Sequence, residues 1–437
     1  MSGLSDLALV AKLDTGDTAW MLAATALVLM MTLALGLFYA GLVRSKNTLN
    51  TFMMCVAAIA VATVTWAAVG YSFAFDEGNE IIGGFGHAFL NGVGLEPREG
   101  ATIPHLLFFA FQATFCIITT ALVSGAVVER MRFGPFLVFA ALWSVLVYAV
   151  LAHWAFGPGW LLNGGTLDFA GGVAVEMGSG FSALAAALVV GARKDHGRQA
   201  LLPHNSVYVL LGAGLLWFGW FGFNGGSGFN TGANSTLAFA NTLLTPACTL
   251  LVWFALDAIR GRRVTAIGAA TAIIVGCVGI TPAGGYISPG YAMLLGALVA
   301  LPCYGVIVYR ARTRVDETLD VLAAHGIAGL TGILFIGFFA QMSWNGVSDG
   351  LLYGNAAQLA DQALAAVAAP AYAFGATYVL LRLIGLLMPL RGAERDEALG
   401  MDVVHHGEEA YATGEGAILV TPEAGFEEEE VPVANPV

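Results

Sequence analysis

Runs of about twenty apolar residues recur along almost the whole chain, and each can cross the roughly 30 Å of hydrocarbon in a bilayer. Of 437 residues, 58% are hydrophobic and 11% charged, with a mean hydropathy of +0.76. A chain of this kind buries its runs in lipid or in itself. Continuous runs point to helices, whose backbone groups pair within the segment; a barrel would need short alternating strands. The fold class expected is therefore an all-α integral membrane protein. Eleven spans are read at 18–42, 50–75, 103–128, 133–157, 168–191, 205–225, 236–259, 264–282, 290–310, 319–342 and 361–389. Numbering the loops alternately puts sixteen of the 18 basic residues on one side, from Arg44 and Lys46 to Arg391 and Arg395. Only Lys12 and Arg98 fall on the other. By the positive-inside rule the N-terminus is outside and the C-terminus inside. Residues 1–17, which carry Lys12 but no apolar signal core, are expected to be an extracellular segment and not a signal peptide. A membrane domain follows over 18–390, and an acidic cytoplasmic tail over 391–437.

An odd number of spans divides into five plus five and one extra, and odd-numbered repeats in one membrane must be inverted relative to each other. The fifth and tenth spans are then partners. Glu176-x-x-x-Gly180 in one matches His325-x-x-x-Gly329 in the other. An ionised side chain at mid-bilayer costs roughly 2.5–3.5 kcal/mol, so such residues are functional candidates. Asp168 opens the fifth span and can serve as its N-cap. Glu176, eight residues on, lies about 12 Å deeper at 1.5 Å per residue. Gly171, Gly172, Gly178, Gly180 and Gly191 let another backbone approach the same span. A Glu176–His325 pair at the pseudo-twofold axis is the reading that joins these features.

The net charge of -12 comes mostly from the tail, where residues 391–437 carry twelve acids and two arginines. Nothing in it points to nucleic acid. The five cysteines lie in apolar spans without CxxC spacing and read as small buried hydrophobes. Neither GxxxxGK[ST] nor HExxH occurs, and His405-His406 has no neighbouring ligands, so no cofactor and no metal are expected. The remaining histidines, His153 among them, read as surface or interface residues. Trp154 and Trp217 fit an interfacial belt. Phe223 differs, because Asn224-Gly-Gly-Ser227 follows at once. Aromatic faces beside a hydroxyl suit a small cation. Loops 76–102 and 343–360 read as caps on the outer side.

Several segments together resemble the ammonium transporter (Amt/Mep/Rh) family, over about residues 17–412. They are Gly36-Leu-Phe-Tyr-Ala-Gly-Leu42, Phe111-Gln-Ala-Thr-Phe115, Asp168-Phe-Ala-Gly-Gly172, Trp220-Phe-Gly-Phe-Asn-Gly-Gly-Ser227, Val278-Gly-Ile-Thr-Pro-Ala-Gly284 and Asp320-Val-Leu-Ala-Ala-His325-Gly326. The resemblance implies a homotrimer of eleven-span subunits in the plasma or bacterial inner membrane, each with its own hydrophobic pore. It implies that Phe115, Phe156 and Ser227 recruit ammonium, that Phe115 and Phe223 form a gate, and that Asp168 supports the vestibule. Glu176 and His325 occupy the positions of the family's pore histidine pair. Two residues depart from the usual pattern: Glu176 replaces histidine, as in some fungal members, and Phe156 replaces tryptophan. The segment Gly400-Met-Asp402 to Tyr411 resembles the family's regulatory C-terminus, and a PII-type regulator is its expected partner.

The function expected is transport of ammonium or ammonia, with methylammonium as an admissible analogue. A receptor signalling through the tail is the alternative; no appended signalling domain favours it. An enzyme is not expected, since no nucleophile, metal site or cofactor motif accompanies the Glu–His pair.

Overall fold

The computed structural model describes residues 13–261 and 263–411. Eleven principal helices carry the chain. α1 is Thr15–Leu42. α2 runs through Thr48–Thr65, a widened turn Trp66–Gly70, and Tyr71–Phe75. α3 is His105–Ser124. α4 joins Phe133–Trp143, a second widened turn Ser144–Tyr148, and Ala149–Ala155. α5 begins with a widened turn, Gly172–Met177, and continues as Gly178–Val190. Then come α6 (Ser206–Gly226), α7 (Ala233–Ile259), α8 (Ala266–Ile280) and α9 (Pro289–Arg310). α10 also begins with a widened turn, Leu322–Ile327, before Ala328–Phe339. α11 is Ala356–Leu387. Two short helices, α12 (Glu394–Leu399) and α13 (Met401–His406), follow. Among the described residues there is no sheet, only isolated bridges such as Met131 with Arg391. Among the described residues ten helices are long and apolar enough to cross a membrane; α8, at 15 residues, is apolar but shorter. The protein is an all-helical, multi-pass membrane protein.

Local chemistry sets the helix starts. Asp14 accepts from Asp17 N at 2.9 Å to begin α1. Asn205 caps α6 through Val207 N and Tyr208 N, and Thr265 caps α8 through Gly268 N. Such side chains satisfy donors that a helix start leaves open. Three prolines sit inside helices, Pro246, Pro302 and Pro370, as neighbouring helices in a membrane bundle allow. A Cβ on Gly276 of α8 would lie 2.4 Å from Pro246 Cα, so α7 and α8 meet at a glycine.

Several expected boundaries shift. The fifth span starts at Gly172 and not at 168, because Asp168 caps the helix and Gly171 takes φ +120°, outside helical geometry. The tenth starts at Leu322 and not near 319, with Asp320 at φ +59° before it. The third ends at Ser124, and the eleventh starts earlier than read, at Ala356. α1 takes in residues 15–17, which the sequence assigned to an extracellular segment. The acidic run Glu427–Glu430 lies outside the described residues, as does Lys12.

Two expectations about aromatic and histidine residues need correction. Trp154 is not an exposed belt residue: it is buried, and its Nε1 donates to Ile81 O at 2.9 Å. His153 is fully buried, with ring nitrogens 3.0 Å from Ala74 O and 2.8 Å from Asn79 O. Both fasten loop 76–102 to the end of α4.

The connecting segments gather at two ends. At one, Glu129 takes Arg44 Nε at 3.0 Å and Arg193 at 2.6 Å, and Arg193 also pairs with Asp316 at 2.8 Å. Arg130 is engaged elsewhere, with Gly191 O, Asp316 O and the Thr318 hydroxyl. The tail segment packs onto this basic end. Lys46 Nζ donates to Glu397 O and Ala398 O, Asp402 accepts from Leu49 N and Asn50 N, and His204 meets the Tyr411 hydroxyl. At the opposite end Asp17 accepts from Thr102 and Thr231, and Gln358 donates to Gly165 O. Arg44, Lys46, Arg130 and Arg193 thus gather at one end of the bundle.

Candidate functional site

A line of cavities runs from the opposite end to the basic end between α1, α3, α5, α6 and α10. The first, about 230 Å³, is lined by Phe115, Phe156, Asp168 and Ser227 among others. Four residues singled out in the sequence therefore share one chamber. Ser227 Oγ donates to Phe223 O at 2.8 Å. With its proton committed, the hydroxyl presents lone pairs to the chamber, the polarity needed by a ligand that can only donate. Gln112 lines the same chamber, and its Oε1 is buried without a hydrogen-bond partner. Gln112 is not among the residues expected from the sequence; its place between Phe111 and Phe115 is the signal that points to it.

Asp168 is not free to bind a ligand directly. Its Oδ1 accepts from Gly171 N at 2.9 Å and Gly172 N at 2.7 Å, and Oδ2 accepts from Val173 N at 2.7 Å. It fixes the start of α5 and leaves a negative charge at the chamber wall.

Below the chamber Phe115 and Phe223 stack with ring centroids 4.1 Å apart and planes at 25°. Both are about 1% exposed, so the rings close the passage. Trp220 flanks Phe223 at 5.8 Å, held by its Nε1 donating to Thr281 Oγ1 at 2.9 Å.

Beyond the rings lies a slit of about 10 Å³, room for roughly one water-sized molecule. Its wall includes Leu35, Ile118, Leu122, Val175 and Leu216, and its ionisable groups are Glu176 and His325. These two meet: His325 Nδ1 is 2.7 Å from Glu176 Oε2. Both are buried, at 1% and 4% exposure. A carboxylate only accepts, so against it Nδ1 carries the proton and Nε2 is left for the cavity. Glu176 Oε1 accepts no hydrogen bond of good geometry. Thr281 lies nearby, but its hydroxyl already donates to Cys277 O. An unpaired buried acceptor is costly unless something passing through uses it.

The pair is made possible by glycines. A Cβ on Gly180 would stand 2.2 Å from Gly326 N and 2.3 Å from Gly326 Cα; one on Gly329 would stand 2.6 Å from Glu176 Cβ. α5 and α10 therefore cross backbone to backbone beside the pair. The two helices also begin alike. Asp168 caps α5 eight residues before Glu176, and Glu317, fully buried, caps α10 eight residues before His325 through Val321 N and Leu322 N. Glu317 is not among the residues expected from the sequence; the shared eight-residue spacing is the signal that points to it.

His325 also lines the third cavity, about 750 Å³, which opens at the basic end past Phe38, Tyr39, Arg193, Arg310 and Asp320. Arg310 and Asp320 pair there at 2.6 Å. Burial alone would raise the Asp316 carboxyl, but three 2.8 Å hydrogen bonds from Arg193 hold it well below the usual carboxylate range.

No cluster of three or more His, Cys, Asp or Glu fit to hold a metal occurs among the described residues. The cysteines are unpaired; Cys55, Cys116, Cys277 and Cys303 are buried and Cys248 is partly so.

Comparison with known proteins gives the family. The Ammonium Transporter Family model matches residues 19–411. The chain is 43% identical over 402 residues to an ammonium transporter of Bacillus subtilis, covering 91% of this chain and 99% of that one. It is 38% identical to ammonium transporter Amt1 of Archaeoglobus fulgidus, covering 91% and 100%. Its structure is similar to that of Mep2 from Candida albicans, with TM-score 0.84, 33% identity and 88% of each chain covered. A sensor Amt protein is also similar, with TM-score 0.83, 28% identity and 90% and 98% covered. From the match across its helical body and the identity to these relatives, the chain belongs to the ammonium transporter family.

Proposed function

We propose that this protein carries ammonium across the plasma or inner membrane by separating ammonia from its proton. The observation that carries this reading is a hydrogen-bonded Glu176–His325 pair in an apolar slit, behind stacked rings and an aromatic, acceptor-lined chamber. Phe115, Phe156, Ser227 and Gln112 receive ammonium. Its N–H groups donate to the Ser227 and Gln112 oxygens and its charge meets ring faces. Asp168 supports the charge while holding the start of α5. Entry as a cation into the slit would carry a desolvation penalty of several kcal/mol. Ammonium avoids it by yielding a proton at the chamber, and neutral ammonia passes when Phe115 and Phe223 part. Potassium has no proton to yield. The Glu–His pair offers that proton an acceptor: it enters at Oε1, giving a neutral carboxyl while Nδ1 keeps its proton toward Oε2, and it leaves again from the carboxyl toward the basic-end cavity. The pair ends with the number of protons it began with. Ammonia recovers a proton at the basic-end cavity.

In this reading α8 is the eighth of eleven spans, the halves form an inverted repeat, and the basic end faces the cytoplasm. The unit is a homotrimer, the membrane domain spans residues 18–390, and the tail from 391 receives a PII-type regulator. Similarity to a sensor Amt protein, together with the tail packed on the basic end, favours one second reading, an ammonium receptor with little flux. Ammonium-induced current in proteoliposomes separates the two. A saturable current supports transport; ammonium binding without current supports the receptor.

A further inference from the structure

We propose that Arg98 determines specificity at the outer mouth: a fixed positive charge at the threshold of the recruiting chamber that limits how readily a cation occupies it. This rests on the transport reading above. The chamber adjoins a second cavity of about 330 Å³, and Arg98, Phe108 and Phe229 line both. Arg98 therefore stands at the boundary through which these two spaces meet. Its guanidinium carbon lies 4.4 Å from the Phe108 ring centroid and 5.7 Å from that of Phe75. The side chain is held on ring faces, half-buried, instead of extending into water. Phe229 completes the threshold, 5.1 Å from Phe108, on a backbone at φ +56°.

The charge is not neutralised in place. Among the described residues Arg98 has no ion pair, whereas Arg44, Arg193, Arg310 and Arg391 all pair with carboxylates at the other end. Glu99 lines the outer cavity beside Arg98, but it and Glu96 are exposed, where water and salt screen them. Asp168 offers the chamber its nearest structured negative charge, but three backbone N–H groups already share it. A cation crossing this threshold meets a fixed positive charge that the more exposed Glu99 offsets only in part, and neutral ammonia is not repelled by it. One unit charge at such a partly solvated mouth shifts cation occupancy on the order of three- to tenfold. The effect falls on half-saturation and spares the maximal rate, since Arg98 lines neither the slit nor the ring stack.

The test compares the full chain with Arg98→Gln and Arg98→Lys in proteoliposomes, recording ammonium-induced current at low and high ionic strength. The expected result is a half-saturating concentration lowered about three- to tenfold in Arg98→Gln, an unchanged maximal current, and wild-type behaviour in Arg98→Lys. The difference should shrink at high salt. Unchanged or higher half-saturation in Arg98→Gln, a Lys variant matching Gln, or a gap that survives high salt would overturn the proposal. Absence of current in wild type would instead overturn the transport reading. Equilibrium binding of methylammonium to the three proteins then measures the same shift, with the same outcomes for and against.

Discussion

Gly180 of α5 and Gly326 of α10 lie in backbone contact: a Cβ on the first would stand 2.2 Å from the amide nitrogen of the second. That approach places Glu176 Oε2 and His325 Nδ1 2.7 Å apart. Neither neighbour can yield, since both are backbone. Gly180→Ala is therefore expected to part the helices, break the pair and lower ammonium flux at least tenfold, at a stability cost of about 1–3 kcal/mol. Gly214→Ala, where nothing lies within 4 Å, is the control. Flux and thermal unfolding of purified protein check both; an active Gly180→Ala protein would separate the helix crossing from function.

Asp168 tests the balance between cap and charge. Asp168→Ala leaves three amides without their acceptor and is expected to lose both flux and about 2 kcal/mol of stability. Asp168→Asn retains one side-chain oxygen and removes the charge. We expect it to fold and to show a raised half-saturating ammonium concentration in a flux assay. Full wild-type kinetics in the Asn protein would leave Asp168 a structural role alone.

Phe156 sets part of the recruiting face. Tryptophan has a stronger cation–π face and an indole N–H. Phe156→Trp is expected to lower the half-saturating concentration by about threefold, an effect of roughly 0.6 kcal/mol within the range for such contacts. Ser227→Ala removes a chamber acceptor and should raise it. Concentration series of methylammonium uptake measure both.

The tail is held by Asp402, whose carboxylate accepts Leu49 N at 3.0 Å and Asn50 N at 2.7 Å at the start of α2. Asp402→Ala should free α12 and α13, seen as faster amide exchange over 391–411, and should change flux. Release of the tail with no change in flux would remove its regulatory role.

The apolar runs made the helices legible, because their length answers directly to bilayer thickness. Glu176 and His325 were legible as ionisable residues followed four positions later by glycine. The start of α5 was misplaced because Asp168 and Gly171 sit inside a continuous apolar run; only φ +120° at Gly171 reveals the break. Trp154 looked interfacial by composition, yet its indole is fastened by a carbonyl from a distant loop. Gln112 and Arg98 gain their significance from the chamber walls, which sequence spacing does not describe.

The central claim is that protonation of Glu176 takes part in transport. The Glu129–Arg193–Asp316 cluster is an unsuitable source of pH dependence near neutrality. A depressed carboxyl contributes stability that is present above its ordinary value and lost only as pH falls through the folded one, so the Asp316 and Glu129 carboxylates stay charged between pH 5 and 8.5. Imidazole can accept at one nitrogen while donating at the other, whereas a carboxyl must change protonation state to change role. The decisive measurement is ammonium-induced current for wild type, Glu176→His and Glu176→Gln from pH 5 to pH 8.5. The predicted result is a pH-dependent wild-type current, a shifted profile in the His protein and a flattened one in the Gln protein. Three superimposable profiles with equal currents would contradict it.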